Sequence, residues 1–188
     1  MILASGSPRR KELLERFGLS FTIEKPTIEE NQSYGNPIQM VCSLSFEKAY
    51  SFWETYPTEI ILGCDTVVAL DENILGKPKS KEEAFQMLSS LSGKTHEVYS
   101  GYALLHPEKK VKVVNYSVTK VTFRTLEKEE IERYLTYSEY EDKAGAYGIQ
   151  GLAGIFIEKI DGDYNNVVGL PLTAINEDLK RYFQVSLL

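Results

Sequence analysis

Apolar residues recur along the chain in two rhythms, one with a period near 3.6 and one with a period of two, and the switches between them predict the elements. Residues 1–4 are apolar, Ser5-Gly6-Ser7-Pro8 breaks the run, and Leu13, Leu14 and Phe17 then fall on one helical stripe that Gly18 ends. This predicts a short strand and a helix, with Ser7 as N-cap and Pro8 at the first helical position. Residues 20–24 alternate like a short strand, and the polar stretch 25–37, which carries Glu29 and Glu30, reads as a loop. Residues 38–56 predict a helix with Ile38, Val41, Cys42, Phe46, Ala49, Phe52, Trp53 and Tyr56 on one broad face. Residues 59–70 are rich in Ile, Leu and Val and predict a buried strand, followed by a turn at 71–73 into Ile74-Leu75.

The second half continues the mixture. Ser80 and Glu83 form a capping-box pattern for a helix over 81–91, and Gly93 ends it. Residues 97–105 and 111–123 predict two long strands joined by His106-Pro107-Glu108-Lys109-Lys110, an antiparallel hairpin. A helix follows at 127–137. Residues 155–160 and 164–168 flank Asp161-Gly162-Asp163 and predict a second hairpin. Pro171 opens a last helix with Leu172, Ile175, Leu179 and Phe183 inward. Strands that follow one another without helices between them imply a mixed α/β sheet rather than a doubly wound one.

Length and charge narrow the class. The 188 residues are expected to form one domain, 1–188, with a sizeable core. A net charge of -6 argues against nucleic-acid binding by whole-protein electrostatics, but leaves room for a small anion on a local basic cluster. The two cysteines, Cys42 and Cys64, make neither a disulfide framework nor a zinc site. No apolar run reaches membrane length and the apolar start is too short for a signal peptide, so the expected location is cytoplasmic, without a membrane partner.

The candidate chemistry begins where the charge pattern opposes helix stability. The positive end of a helix dipole favours acids, yet Arg9, Arg10 and Lys11 occupy the predicted first turn. One reading is a phosphate cradle of helix N–H groups, the Ser5 and Ser7 hydroxyls and the Arg9 and Arg10 forks; the other is a solvated helix start. Asp65 interrupts an apolar run, where an ionised carboxylate is costly unless paired or metal-bound. With Lys77 in Gly76-Lys77-Pro78 it suggests a base or metal ligand plus a phosphate clamp; the alternative is a turn cap. Glu29 and Glu30 read as a solvated acidic loop unless a divalent cation needs further hard oxygen ligands. Composition alone reads Lys48 as part of an ordinary Glu/Lys helix surface. Glycines 145, 148, 151 and 154 match neither a Walker loop nor a dinucleotide fingerprint. Between them, Gln150 offers donor and acceptor to a base edge, or the segment is a structural turn. His96 has no plausible nucleophile to serve and is expected to be structural or supporting.

Taken in order, Ser5-Gly6-Ser7-Pro8-Arg9-Arg10, Glu47-Lys48-Ala49, Gly63-Cys64-Asp65-Thr66-Val67-Val68, Gly76-Lys77-Pro78, Leu91-Ser92-Gly93-Lys94-Thr95-His96, Gly145-Ala146-Tyr147-Gly148-Ile149-Gln150-Gly151 and Asn166-Val167-Val168-Gly169-Leu170-Pro171-Leu172 resemble the Maf family of nucleoside triphosphate pyrophosphatases essentially end to end. The resemblance implies an elongated mixed sheet with flanking helices and two lobes around a cleft, like the inosine triphosphate pyrophosphatases. It implies cleavage between the α and β phosphates with a divalent metal cation, Mg²⁺ or Mn²⁺, in a homodimer. It places catalytic roles on Asp65, Glu30 and Lys77, with Asp65 and Glu30 also holding the metal. It places substrate binding on Ser7, Arg9, Arg10, Lys48, Thr66 and Gln150, with Arg9, Thr66 and Gln150 tied to base choice. The run from Asp142 to Gly151 resembles the branch acting on dTTP and UTP. The alternatives are the 7-methyl-GTP branch and a nucleotide-binding regulator linked to cell division. Cys64 stands where many members have Ala, a small, easily buried change.

Overall fold

Each strand near the N-terminus is short because a polar break follows it within a few residues. The computed structural model describes residues 1–28, 34–71 and 73–188; Glu29 and Glu30 lie outside them. The elements are β1 (Ile2–Ala4), α1 (Pro8–Glu15), β2 (Thr22–Glu24), α2 (Pro37–Tyr50), β3 (Ile61–Leu70), β4 (Asn73–Leu75), α3 (Lys81–Leu91), β5 (Thr95–His106), β6 (Val111–Phe123), α4 (Lys128–Tyr134), β7 (Ile157–Asp161), α5 (Tyr164–Val168) and α6 (Leu172–Asp178). The strands form one mixed sheet in the order β2-β1-β3-β5-β6-β7, with β4 paired off β3. β1 runs parallel to β2 and β3, whereas β4 is antiparallel to β3 and β7 to β6. The short connection between neighbouring β5 and β6 cannot hold a parallel crossover, so they form the expected hairpin.

Local chemistry sets several boundaries. Ser80 accepts a hydrogen bond from Glu83 N at 3.1 Å, and Glu83 reaches back to Lys79 N at 2.6 Å, so α3 starts where the capping pattern predicts. Gly93, at φ 68, occupies the left-handed conformation that ends it. Several elements depart from the pattern: α4 ends at Tyr134, short of residue 137, and α6 gives way after Asp178 to a π-helical turn over Leu179–Phe183. Regular α2 stops at Tyr50, and residues 51–55 continue only as turns. Residues 164–168 form α5 instead of a second hairpin strand. Asp163 Oδ1 accepts from Asn165 N at 2.7 Å, which favours a helical turn over extension. The Asn166 side chain, fully buried, then donates to Val98 O and Thr119 Oγ1, both at 3.0 Å. Those tertiary bonds override the strand propensity of Val167 and Val168.

The chain divides into two compact units. The first comprises Met1–Asp65, Ser100–Ser117 and Gly169–Leu188. Its core includes Ile2, Ala4, Ala49, Ile61, Ala103 and Leu105, flanked by Phe52, Trp53 and Tyr56. Here α2 lies flush on the sheet because two strand positions lack side chains. A Cβ on Gly63 would overlap Ser45 O and Ala49 N, and one on Gly101 would overlap the Val41 carbonyl and Cys42 N. These obstacles are helix backbone, which cannot rotate aside.

The second unit comprises Thr66–Tyr99 and Val118–Val168. Its core joins Leu88 and Leu91 of α3 to Val121 and Phe123 of β6 and to Ile131 and Tyr134 of α4. Edge-to-face rings run from His96 through Tyr147, Phe123 and Phe156 to Tyr134, with centroid separations of 4.8–6.1 Å. His96 Nε2 bonds Tyr147 Oη at 2.8 Å, while its buried Nδ1 has no hydrogen-bond partner among the described residues. Burial pushes the imidazole pKa down to about 4.

Two measurements check this packing. Gly63→Ala is expected to lower the denaturant midpoint by the equivalent of about 1–3 kcal/mol, because overpacking meets backbone rather than a movable side chain. His96 titrates at 6.5 when unperturbed and near 4 when folded, so the unfolded chain binds the extra proton between those values. Stability is therefore fully present above about pH 6.5 and declines as pH falls toward 4, by about 3 kcal/mol in all. The slope of unfolding free energy against pH should be shallower in His96→Phe; identical slopes would show that His96 does not carry it.

Candidate active site

The flush seat of α2 brings two opposite charges together. On β3, Gly63 and Asp65 are two residues apart and share the face toward the helix. On α2, Ser45 and Ala49 flank the glycine and Lys48 reaches the acid. Lys48 Nζ donates to Asp65 Oδ1 at 2.7 Å, with each side chain 11% exposed. The pairing lets an ionised carboxylate sit inside an apolar strand, since each buried charge offsets the other's desolvation. Lys48 is thus not a helix-surface lysine, as composition suggested. The signal was its spacing, four residues after Leu44 and seven after Val41, both buried on the stripe that faces the sheet.

The structure gives the cations of the first helix different surroundings. Ser7 occupies the N-cap position of α1 with extended backbone, but its side chain makes no capping bond, and the first turn holds no acid. Ser7 N instead donates to Ser5 Oγ at 3.2 Å. Arg10 donates from Nε to Gly169 O at 2.8 Å and from Nη1 to Cys64 O at 2.9 Å and Ser5 Oγ at 3.2 Å. It ties α1 to the carbonyl just before Asp65 and to the segment entering the last helix. Lys11 forms a surface pair with Glu15 at 3.5 Å. Arg9 is half-buried, directly after Pro8. Cys64 is fully buried and its thiol is pushed up to about 11, chiefly by burial, so it stays protonated and inert beside the acid.

In the second unit, Thr66 follows Asp65 along β3 and is half-buried. Lys77 is exposed and lies 3.8 Å from Asp142 Oδ1, a loose surface pair worth only ~0–1 kcal/mol, which another anion could readily replace. Gly145 N donates to Gly76 O at 3.0 Å, fastening the Lys77 stretch to the glycine-rich segment. Gln150 is exposed on a turn closed by Gly151 N to Gly148 O at 3.1 Å. His96 supports this segment through Tyr147. Thr119, which anchors α5 through Asn166, carried no signal in the sequence, and Asn166 stood out only as the first residue of a family motif. Glu30 lies outside the described residues. Among the described residues no three His, Cys, Asp or Glu side chains cluster closely enough to hold a metal ion. No helix among them is long and apolar enough to cross a membrane.

Comparison with known proteins agrees with the motif order. The family described as Maf-like protein matches residues 1–182. The chain is similar to a dTTP/UTP pyrophosphatase of Bacillus cytotoxicus, 50% identical over 182 residues that cover 96% of this chain and 94% of the relative. A Bacillus cereus protein of the same description is 49% identical over 183 residues, covering 97% and 95%. One from Thermoanaerobacter is 45% identical over 189 residues, covering 100% and 99%. A family match over residues 1–182, joined to near-half identity along the whole length of these relatives, means that the chain belongs to the Maf family.

Proposed function

We propose that this protein is a nucleoside triphosphate pyrophosphatase. It hydrolyses dTTP and UTP, and modified pyrimidine nucleotides with them, to the monophosphate and pyrophosphate, a house-cleaning role. The observation that carries the reading is the buried pair of Lys48 on α2 with Asp65 on β3, in a chain whose relatives are named dTTP/UTP pyrophosphatases. Neither the 7-methyl-GTP reading nor the cell-division regulator has an observation in its favour.

Phosphoryl chemistry is mostly positioning and charge stabilisation. Asp65 orients the attacking water and takes its proton, while Lys48 balances the charge of the carboxylate. Arg9, Ser7 and the N–H groups opening α1 bind phosphate oxygens, for which an acid-free first turn is suited. Arg10 contributes by holding that helix start against Cys64 O. Lys77 neutralises charge on the leaving pyrophosphate, and its loose partner Asp142 makes the exchange inexpensive. Thr66 and Gln150 select the base.

A divalent cation, Mg²⁺ or Mn²⁺, fits the hard oxygen of Asp65, with Glu30 proposed as the second carboxylate. When bound, it would neutralise phosphate charge and lower the pKa of a coordinated water. The protein is further proposed to act as one catalytic domain, as a cytoplasmic homodimer.

Pyrophosphate release from a panel of triphosphates, with either cation, tests the reading. Wild type should act on dTTP and UTP, and Asp65→Asn should lose ~100-fold or more in turnover while remaining folded. Activity confined to 7-methyl-GTP would move the protein to the other branch, and no release from any triphosphate by folded wild type would favour the regulator. Lys48→Met should lower activity and also cost about 3–5 kcal/mol of stability, because it strands the Asp65 charge. An unchanged denaturant midpoint would show that the pair is not the buried unit described.

A further inference from the structure

Glu139 belongs to none of the motifs that carry the family resemblance, yet it organises the turn that bears Gln150. It follows α4 and is half-buried. Its Oε2 accepts Leu152 N at 2.8 Å, and its Oε1 accepts Tyr134 Oη at 3.4 Å. Its backbone carbonyl accepts Lys143 Nζ. The carboxylate also lies directly on Gly151, where any Cβ would overlap it. A side chain at 151 would therefore push the carboxylate aside rather than strain the backbone, whose φ of -108 any residue can adopt.

The turn between these anchors is short. Gly151 N closes it onto Gly148 O, leaving Ile149 and Gln150 at its two central positions. On the leading side, Tyr147 is held by His96 Nε2 and by its edge-to-face contact with Phe123. On the trailing side, Glu139 holds Leu152 N and fills the space against Gly151. Gln150 itself is exposed, so where its amide can reach is decided by the backbone that presents it.

We propose that Glu139 is a positioning residue for base selection: by clamping the trailing arm of the 148–151 turn, it aims the Gln150 amide at the edge of a pyrimidine base. The inference rests on the reading of Gln150 as base-selecting. Uracil and thymine present a carbonyl acceptor at position 4 beside an N–H donor, whereas cytosine presents an amino donor beside an acceptor. An amide held in one place and orientation complements the first pattern and sets donor against donor with the second. A loosened turn would let the amide flip or withdraw, and discrimination would fall.

Steady-state pyrophosphate release from UTP and CTP, with thermal melts of every variant, tests this. Glu139→Ala removes the clamp; Gly151→Ala keeps Glu139 but displaces its carboxylate; Glu139→Gln preserves shape and one acceptor. The first two should lower kcat/KM for UTP by roughly tenfold to a hundredfold, mainly through KM, and shrink the UTP/CTP ratio toward that of Gln150→Ala. Glu139→Gln should recover part of the ratio. Adding Glu139→Ala to Gln150→Ala should leave the ratio where Gln150→Ala alone puts it, since both act through one amide. Altered melts with a wild-type UTP/CTP ratio in both alanine variants would make Glu139 purely structural and overturn the inference, leaving the proposed function intact. A wild-type ratio in Gln150→Ala would overturn it at its premise. Failure of wild type to release pyrophosphate from UTP would instead sink the function on which it rests.

Discussion

Much of the first unit depends on how closely α2 can approach the sheet. Gly63 and Gly101 allow helix backbone, not helix side chains, to touch the strands. That proximity brings Lys48 within 2.7 Å of Asp65. With any side chain at position 63 the helix would have to stand off. The carboxylate would then keep its desolvation cost without its counter-charge. The interaction is thus built from small residues and packing first, and the ion pair is its consequence.

The same economy of contacts recurs around the acid. Arg10 accounts for part of a charge pattern that opposes the helix dipole, since its guanidinium joins Ser5, the Cys64 carbonyl and the Gly169 carbonyl. A guanidinium suits this work because its several donors leave in fixed directions. Cys64, between Gly63 and Asp65, adds apolar volume and a thiol that burial keeps neutral. In the second unit, the aromatic chain from His96 to Tyr134 gives a rigid base for a loop that is otherwise glycine-rich. A loop with so little side-chain mass needs external supports to hold one conformation.

Legibility followed the range of the physics. The capping bonds of α3 involve residues three or four apart, so its start could be read locally. β6 spans Val111–Phe123, as its alternation and the flanking turn indicated. Residues 164–168 could not be read this way, because Asn166 trades strand pairing for bonds to Val98 and Thr119, distant in sequence. Lys48 looked like surface because its partner lies 17 residues away on another element. Asp65 stood out because a carboxylate within an apolar run demands explanation wherever the fold places it. Glu139 gave no sign, since acidic residues after a short helix are ordinary until their contacts are known.

By itself, the sequence determined the alternation of elements, the mixed character of the sheet, the anomalous acid at 65, the basic helix start and, through the order of its motifs, the family. These follow from local periodicity, capping chemistry and residue types that are costly to bury. Only the tertiary structure decided that Lys48 pairs with Asp65, that Arg10 is a clamp on backbone carbonyls, and that Glu139 and His96 support the segment bearing Gln150. Each of those outcomes joins groups far apart in the chain. Burial and hydrogen-bond partners are properties of the packed molecule, and no local pattern contains them.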